Sequence, residues 1–340
     1  MQLGFGLITC QRFPGDPRDD AEIYRDGLEL AEQAERLGFD SVWVSEHHFV
    51  DDAYMPSLLP FLAAVAVRTN RVLLGTALLL APLYDPLRLA EDAATVDLLS
   101  GGRLILGLGQ GWREEEFDAF GVPLAGRHRR LAHIVTTLRQ AWSGEAVVGS
   151  DLERYPGIAV TPQPTRSAGP PIWIGAISAP AIARAGRIGD GFMAAEGTLE
   201  AFREHVNWAR DAAERAGRDP EALEVSLYLP TFAWRGEDAW ERVRPYHHYV
   251  AWKYEDMGAA RGRRGHLPSP PPLTAADEDE LRRGIVLGTP EQVTEQLHAF
   301  KEVVGGPLHY IARLYWPGMD RAVQDESMRI FAEEVAPALR

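Results

Sequence analysis

The sequence predicts a closed (β/α)8 barrel, and three observations carry that expectation. Eight short apolar runs alternate with segments of helical period, the order that builds an all-parallel sheet. The fullest of these runs, Val72 to Ala81, is unalternating, as strands covered on both faces are. Eight is also the number of strands at which such a sheet closes. A doubly wound open sheet is the competing architecture. It carries a glycine-rich turn after its first strand, and the loop after Ile8 is not glycine-rich. The 340 residues suit one barrel domain, residues 1–340, with insertions after the fourth and seventh strands.

Leu3 to Ile8 is the first strand, and Glu22 to Leu37 follows with apolar residues near helical spacing, ended by Gly38 in a C-cap position. Ser41 to Val44 is the second strand. Ser57 to Arg68 is helical, its start confined by Pro56 and Pro60. Val72 to Ala81 is the third strand, and Pro86 to Leu99 a helix with proline in its first turn. Arg103 to Gly109 is the fourth strand, with helices over Arg113 to Phe120 and Arg127 to Trp142. Residues 145–164 read as a β-hairpin insertion with turns at Gly149 to Asp151 and at Pro156-Gly157.

Pro171 to Gly175 is the fifth strand, with a helix over Pro180 to Arg187. Gly191 to Ala195 is the sixth, with a helix over Leu199 to Ala216, and Leu223 to Leu229 is the seventh. The stretch of about residues 237–286 is too long for one crossover. It holds a helix from Glu237 to about Met257, then an arginine- and proline-rich segment, Gly258 to Leu273, with the character of a lid. Order restarts at Leu287, where Thr289, Pro290 and Gln292 form a capping box. His309 to Trp316 is the eighth strand and Asp325 to Val335 a closing helix.

Composition narrows the function. With 35 basic and 49 acidic side chains the formal net charge is −14, against a nucleic-acid binder, which needs a basic face. The single cysteine, Cys10, excludes an internal disulfide and any multi-thiolate metal site, and it reads as a small buried apolar residue. No apolar run reaches the length needed to span a bilayer, and the start has no basic region followed by a long apolar segment. A cytoplasmic protein without membrane contact is expected.

In a (β/α)8 barrel the chemistry gathers where strands end. The second strand ends in Glu46, His47 and His48: either imidazoles placed for proton transfer near neutral pH, or a cap and a solvated neighbour. The fourth ends in Gly107, Gly109, Gln110, Gly111 and Trp112, where missing Cβ atoms admit a flat ligand or simply tight packing. The fifth ends in Gly175, Ala176, Ile177 and Ser178 at a helix start, so that Ser178 holds an anion with the backbone N–H groups or only caps the helix. No metal is expected, because His47 and His48 are adjacent and no carboxylate stands at a ligand spacing. His247 and His248, in an acidic helix, are expected to face solvent.

These stretches resemble a known family. Trp43 to Phe49, Val72 to Ala77, the pattern from Pro86 through Asp97, Gly102 and Arg103, Leu106 to Gly121, and Gly186 to Gly191 are similar, in order and spacing, to the bacterial luciferase-like monooxygenases. The resemblance implies a TIM barrel binding a flavin at the carboxyl ends of its strands. Ala77-Leu78 falls where the family has a non-proline cis peptide behind the flavin ring. Gly109 and Gln110 fall beside the ring or phosphate, Gly175, Ala176, Ile177 and Ser178 would cradle the phosphate, and Glu116 matches a carboxylate near the flavin. Arg130 falls near a phosphate-contacting arginine, with Arg127 and Arg129 as rivals. His47 aligns with the catalytic histidine, Glu46 and His48 orient it or complete the polar wall, and Trp112 and Trp316 would shape the substrate pocket.

The resemblance implies reduced FMN, supplied by a separate NAD(P)H:flavin reductase, and O2 as reactants that oxygenate a small organic substrate. A homodimer is implied as well. True luciferases carry cysteine and arginine where this chain has Gly109 and Gln110, which argues against light emission. The alternative in the same fold is hydride transfer with the deazaflavin coenzyme F420. A flavin-binding protein without turnover and a barrel enzyme without flavin are the readings from other classes.

Overall fold

Local signals in the chain set the element ends. The computed structural model describes residues 1–150, 152–195, 197–259 and 269–340. Asp151 of the expected hairpin turn and residues 260–268, most of the lid-like segment Gly258 to Leu273, lie outside the described residues. Helix α1 (Asp20–Leu37) opens with a reciprocal cap between Asp19 and Glu22 and closes on Gly38 at φ 88°, a left-handed conformation that a side chain would strain. Helix α2 (Leu58–Arg68) leads to α3 (Pro86–Ser100), which begins at a proline capped by Asp85.

Eight parallel strands close the barrel. They are β1 (Gln2–Ile8), β2 (Ser41–Val44), β3 (Leu73–Thr76) with its short continuation β4 (Leu79–Leu80), and β5 (Leu104–Gly109). Between β5 and the next barrel strand come α4 (Glu114–Ala119), α5 (Arg127–Trp142) and the antiparallel hairpin β6 (Val147–Gly149) and β7 (Arg154–Ile158), as expected for the first insertion. The circuit continues with β8 (Ile172–Gly175), α6 (Ala179–Ile188), β9 (Gly191–Ala194), α7 (Leu199–Arg215) and β10 (Glu224–Ala233). The second insertion holds α8 (Ala239–Ala259), α9 (Ala275–Arg283) and β11 (Val286–Gly288), followed by α10 (Pro290–Val304). Strand β12 (His309–Arg313) pairs with both β10 and β1 and shuts the ring; α11 (Arg321–Ile330) and α12 (Ala336–Leu339) end the chain.

Several boundaries differ from the sequence reading, each for a local reason. The third strand is not continuous from Val72 to Ala81: it breaks at a cis Ala77–Leu78 bond, after which Leu79 and Leu80 pair with Leu108 and Gly109 of β5. The seventh strand runs on to Ala233 because its last three residues pair with β11. The eighth stops at Arg313, and Gln324 takes over beyond it, donating to Leu314 O and accepting from Trp316 N–H. Helix α9 and strand β11 were not foreseen. Helix α9 has no buried residue, so its sequence carries no apolar stripe, and its start rests on a Thr274–Asp277 capping box.

The core is two-layered, as in any such barrel. Outside the sheet, strand residues such as Val42, Leu106 and Leu227 pack with the helices. Inside, Trp43, Ile105, Trp173 and Ile311 fill the barrel, the two indoles stacked at 5.2 Å. Glycine makes room for them: a Cβ on Gly191 would stand 2.5 Å from the Trp173 ring. Among the described residues no helix is long and apolar enough to cross a membrane.

Candidate active site

At the carboxyl ends of the strands lies a cavity of about 280 Å³. Its walls contain Glu46 and His47 from the end of β2, Ala77 and Leu78 from the break after β3, and Gly109, Gln110 and Trp112 from the end of β5. Gly175, Ala176, Ile177 and Ser178 complete it from β8 and the start of α6. Three strand ends flagged by separate sequence signals thus converge on one space. Leu78 projects against Gly109 and Gly175: a Cβ on Gly109 would lie 3.1 Å from Leu78 Cβ, so glycine there keeps the backbone close to that side chain.

His47 is buried and its Nδ1 lies 2.9 Å from Glu116 Oε1. The same oxygen accepts the backbone N–H of His48 at 2.9 Å, so Glu116 fixes both the imidazole and the chain that carries it. With Nδ1 engaged, Nε2 is the ring nitrogen left for the cavity. Aromatic rings enclose the imidazole: Tyr54 at 4.9 Å, Tyr254 at 5.5 Å and Trp112 at 5.7 Å between centroids. Glu116 therefore acts behind His47 and is not itself in the cavity wall.

Glu46 is fully buried. Its Oε1 pairs with His48 Nε2 at 2.7 Å, and its Oε2 accepts from Leu80 N–H and the Tyr84 hydroxyl, each at 3.2 Å. Burial pushes its carboxyl above the usual range, and the His48 hydrogen bond opposes that rise. The pair thus ties the end of β2 to β4. His48 itself is not in the cavity wall and stands against Phe120 at 4.9 Å.

Two candidate residues are placed elsewhere. Arg130 is held by Pro82 O, Tyr84 O and Glu153 Oε1, the last at 2.6 Å, and its reach toward the hairpin takes it out of the cavity. Trp316 is buried in a separate cluster with Phe232, Trp240 and Met319 under the second insertion. His247, expected in solvent, is buried beside Trp316 at 5.7 Å and its Nε2 lies 3.0 Å from Leu281 O, because α9 covers that side of α8.

Other wall residues carried weaker signals. Met193 and Tyr228 line the cavity from inward positions of β9 and β10, legible only once strand phase is known. Tyr254 arrives from α8, and its hydroxyl meets that of Tyr54 at 2.8 Å, a contact across 200 residues that no local pattern announces. Near Ser178, whose side chain makes no capping hydrogen bond, Arg184 reaches Gln110 Oε1 at 3.4 Å. Arg187 and Arg127 lie close enough to repel Arg184, which adds to the lowering of its pKa by burial. A basic side chain two turns into the helix after the Gly175–Ser178 loop was the available sequence signal.

Comparison with known proteins agrees with this geometry. Residues 3–305 match the luciferase-like monooxygenase family. The chain is 33% identical over 330 residues to the F420-dependent glucose-6-phosphate dehydrogenase of Kribbella flavida, covering 93% of this chain and 94% of the relative. It is 25% identical over 353 residues to the oxygenase component of the flavin-dependent trigonelline monooxygenase of Acinetobacter baylyi, covering 99% and 95%. A solved monooxygenase from Streptomyces bottropensis superposes with a TM-score of 0.85 at 26% identity over the whole of both chains. With fold, cavity and relatives in agreement over most of its length, the chain belongs to the luciferase-like monooxygenase family and is an oxidoreductase.

Proposed function

We propose that the cavity holds the tricyclic ring of a flavin-type cofactor and that His47 moves a proton at a small organic substrate beside it. The observation that carries this is the single cavity that joins a glycine-lined slot to an imidazole fixed by a carboxylate, Glu116. The residues present fit such a group. The slot is walled by Leu78 and by backbone at Gly109 and Gly175, and at its end Ser178 has an unused hydroxyl at the positive start of α6, with Arg184 near by. When bound, the cofactor supplies the redox chemistry, hydride exchange for a deazaflavin or oxygen activation for reduced FMN. The chain itself binds and orients through Ser178 and Arg184, excludes water through Tyr54, Trp112 and Tyr254, and holds the proton at His47 Nε2.

Coenzyme F420 is the favoured cofactor, with an alcohol or related hydride donor as substrate. Arg184, Arg187 and Arg127 gather at the phosphate end, which suits a tail bearing several negative charges better than one phosphate. Relatives at 30% identity or above, from Kribbella flavida and Amycolatopsis mediterranei, are F420-dependent dehydrogenases. The second reading is a homodimeric FMN monooxygenase served by a separate NAD(P)H:flavin reductase. The aromatic enclosure of His47 favours it, because oxygen activation requires water to be kept out. Fluorescence titration with F420 and anaerobic titration with reduced FMN, followed by oxygen-uptake measurement, decides. F420 binding without oxygen uptake is expected; reduced-FMN binding with oxygen uptake would replace the first reading by the second.

A further inference from the structure

We propose that Tyr254 is a second catalytic residue, its hydroxyl donating to the substrate oxygen that exchanges a proton with His47. The reacting group is then an alcohol carbon or the carbonyl it becomes. This rests on the cavity being the redox site in its deazaflavin reading. Tyr254 lines the cavity together with Ser45 and His47. Its ring stands 5.5 Å from that of His47 and nearly perpendicular to it, at 76°. One turn further along α8, a Cβ on Gly258 would lie 3.6 Å from the Trp112 indole, another wall of the same cavity. The face of α8 that carries residues 254 and 258 is therefore the one turned to the site.

Three contacts pin α8 onto the loop that follows His48. Tyr249 donates to Asp52 Oδ2 at 2.8 Å, Lys253 pairs with Asp51, and the Tyr254 hydroxyl meets that of Tyr54 at 2.8 Å. The loop is tied in turn to His47, whose backbone N–H donates to Met55 O at 3.3 Å. One loop thus sets His47 and Tyr254 together, as two groups acting on one atom require. Glu116 Oε1 accepts from His48 N–H as well as from the His47 ring, so Nδ1 carries the proton of neutral His47 and Nε2 is an acceptor. A substrate oxygen that has given its proton to Nε2 needs a donor from elsewhere. Tyr54 is buried, with its hydroxyl between that of Tyr254 and the nearby Ser45. With Ser45 donating to Tyr54 and Tyr54 to Tyr254, the Tyr254 proton is the one left for the cavity. In alcohol oxidation the C–H bond breaks and its electron pair passes as hydride to an oxidised deazaflavin. The O–H proton passes to His47 Nε2 and the C=O bond forms; carbonyl reduction is the reverse. Negative charge gathers on the oxygen as its proton leaves, and a fixed hydroxyl aimed at it stabilises that charge.

The probe is cyclohexanone, a small ketone that only accepts hydrogen bonds. It is titrated against the protein with oxidised F420, a pair between which no hydride can pass, and again without cofactor. The infrared C=O band of the bound ketone is expected at lower frequency in the wild type than in Tyr254→Phe, because a donated hydrogen bond weakens the C=O bond. Tyr254→Phe is expected to bind the ketone about five- to tenfold more weakly, the loss of one hydrogen bond. Its thermal midpoint is expected within about 4 °C of the wild type, since the ring remains. Tyr54→Phe leaves the Tyr254 hydroxyl in place but removes its partner, so the low-frequency band is expected to persist with weaker ketone binding. A wild type that binds no ketone, equal bands in wild type and Tyr254→Phe, or a band that moves only in Tyr54→Phe would each overturn the proposal. Cofactor titration is a separate readout: a band difference in a protein that binds neither F420 nor FMN refutes the redox site and not the hydrogen bond from Tyr254.

Discussion

His47 is positioned by a carboxylate that belongs to another element and lies 69 residues away, so its function depends on Glu116 as much as on its own ring. His47→Ala is expected to lower kcat by about 10²- to 10⁴-fold, the usual contribution of a general acid–base group, with cofactor affinity unchanged within about threefold because Ser178 and Arg184, proposed above to hold the cofactor, are untouched; stopped-flow kinetics and titration check both. Glu116→Gln is expected to lower kcat by less, because an amide still accepts a hydrogen bond from the ring but holds it more weakly than a carboxylate does; steady-state kinetics check it. Size matters as much as charge inside the barrel. A Cβ on Gly107 would overlap the Thr76 carbonyl oxygen, which is backbone and cannot swing away. Gly107→Ala is therefore expected to cost about 1–3 kcal/mol in urea unfolding, and more if the strand cannot shift. Glycine at positions 107 and 109 was legible from sequence. Which neighbour demanded it was not, because Thr76 and Leu78 reach them from another strand.

At the scale of elements, α8 shows how a reading of one helix fails when its partner is unseen. Its acidic composition pointed His247 to solvent, but α9, starting at Ala275, covers it. Burial lowers the His247 pKa to about 4, helped by the charge of Arg313 and opposed by the hydrogen bond to Leu281 O. The unfolded chain, with an ordinary histidine pKa of about 6.5, then binds the proton more readily than the folded one. Stability from this group is complete above about pH 6.5 and is lost as pH falls toward 4. His247→Gln, which retains a donor for Leu281 O, is expected to remove about 2 kcal/mol of the stability lost between about pH 7.5 and pH 5, read from urea midpoints. The capping signals fared better. Thr289 with Gln292 and Gly38 after α1 both act as their sequence implied, because a cap is satisfied within four residues.

For the whole molecule, closure is the central fact: β1 pairs with β12, bringing residues over 300 apart into register. Each barrel strand is hydrogen-bonded on both sides, whereas β6 and β7 form a two-stranded excursion with most of β7 exposed. Amide hydrogen exchange is expected to leave β1, β2, β5 and β12 protected longest and to label residues 147–158 first, through local opening that leaves the barrel intact. Protection of the hairpin equal to that of the barrel strands would show the two to be one cooperative unit.

The sequence by itself determined the barrel, the strand ends at Glu46–His47, Gly109–Gln110 and Gly175–Ser178, and the family, since apolar runs, caps and glycine-rich ends are local properties. Tertiary structure alone decided that Glu116 holds His47, that Tyr254 closes over it, and that Arg130 and Trp316 serve other contacts. Each of those depends on which distant side chain arrives within a few ångströms, and the closing of the ring, not any local pattern, sets that distance.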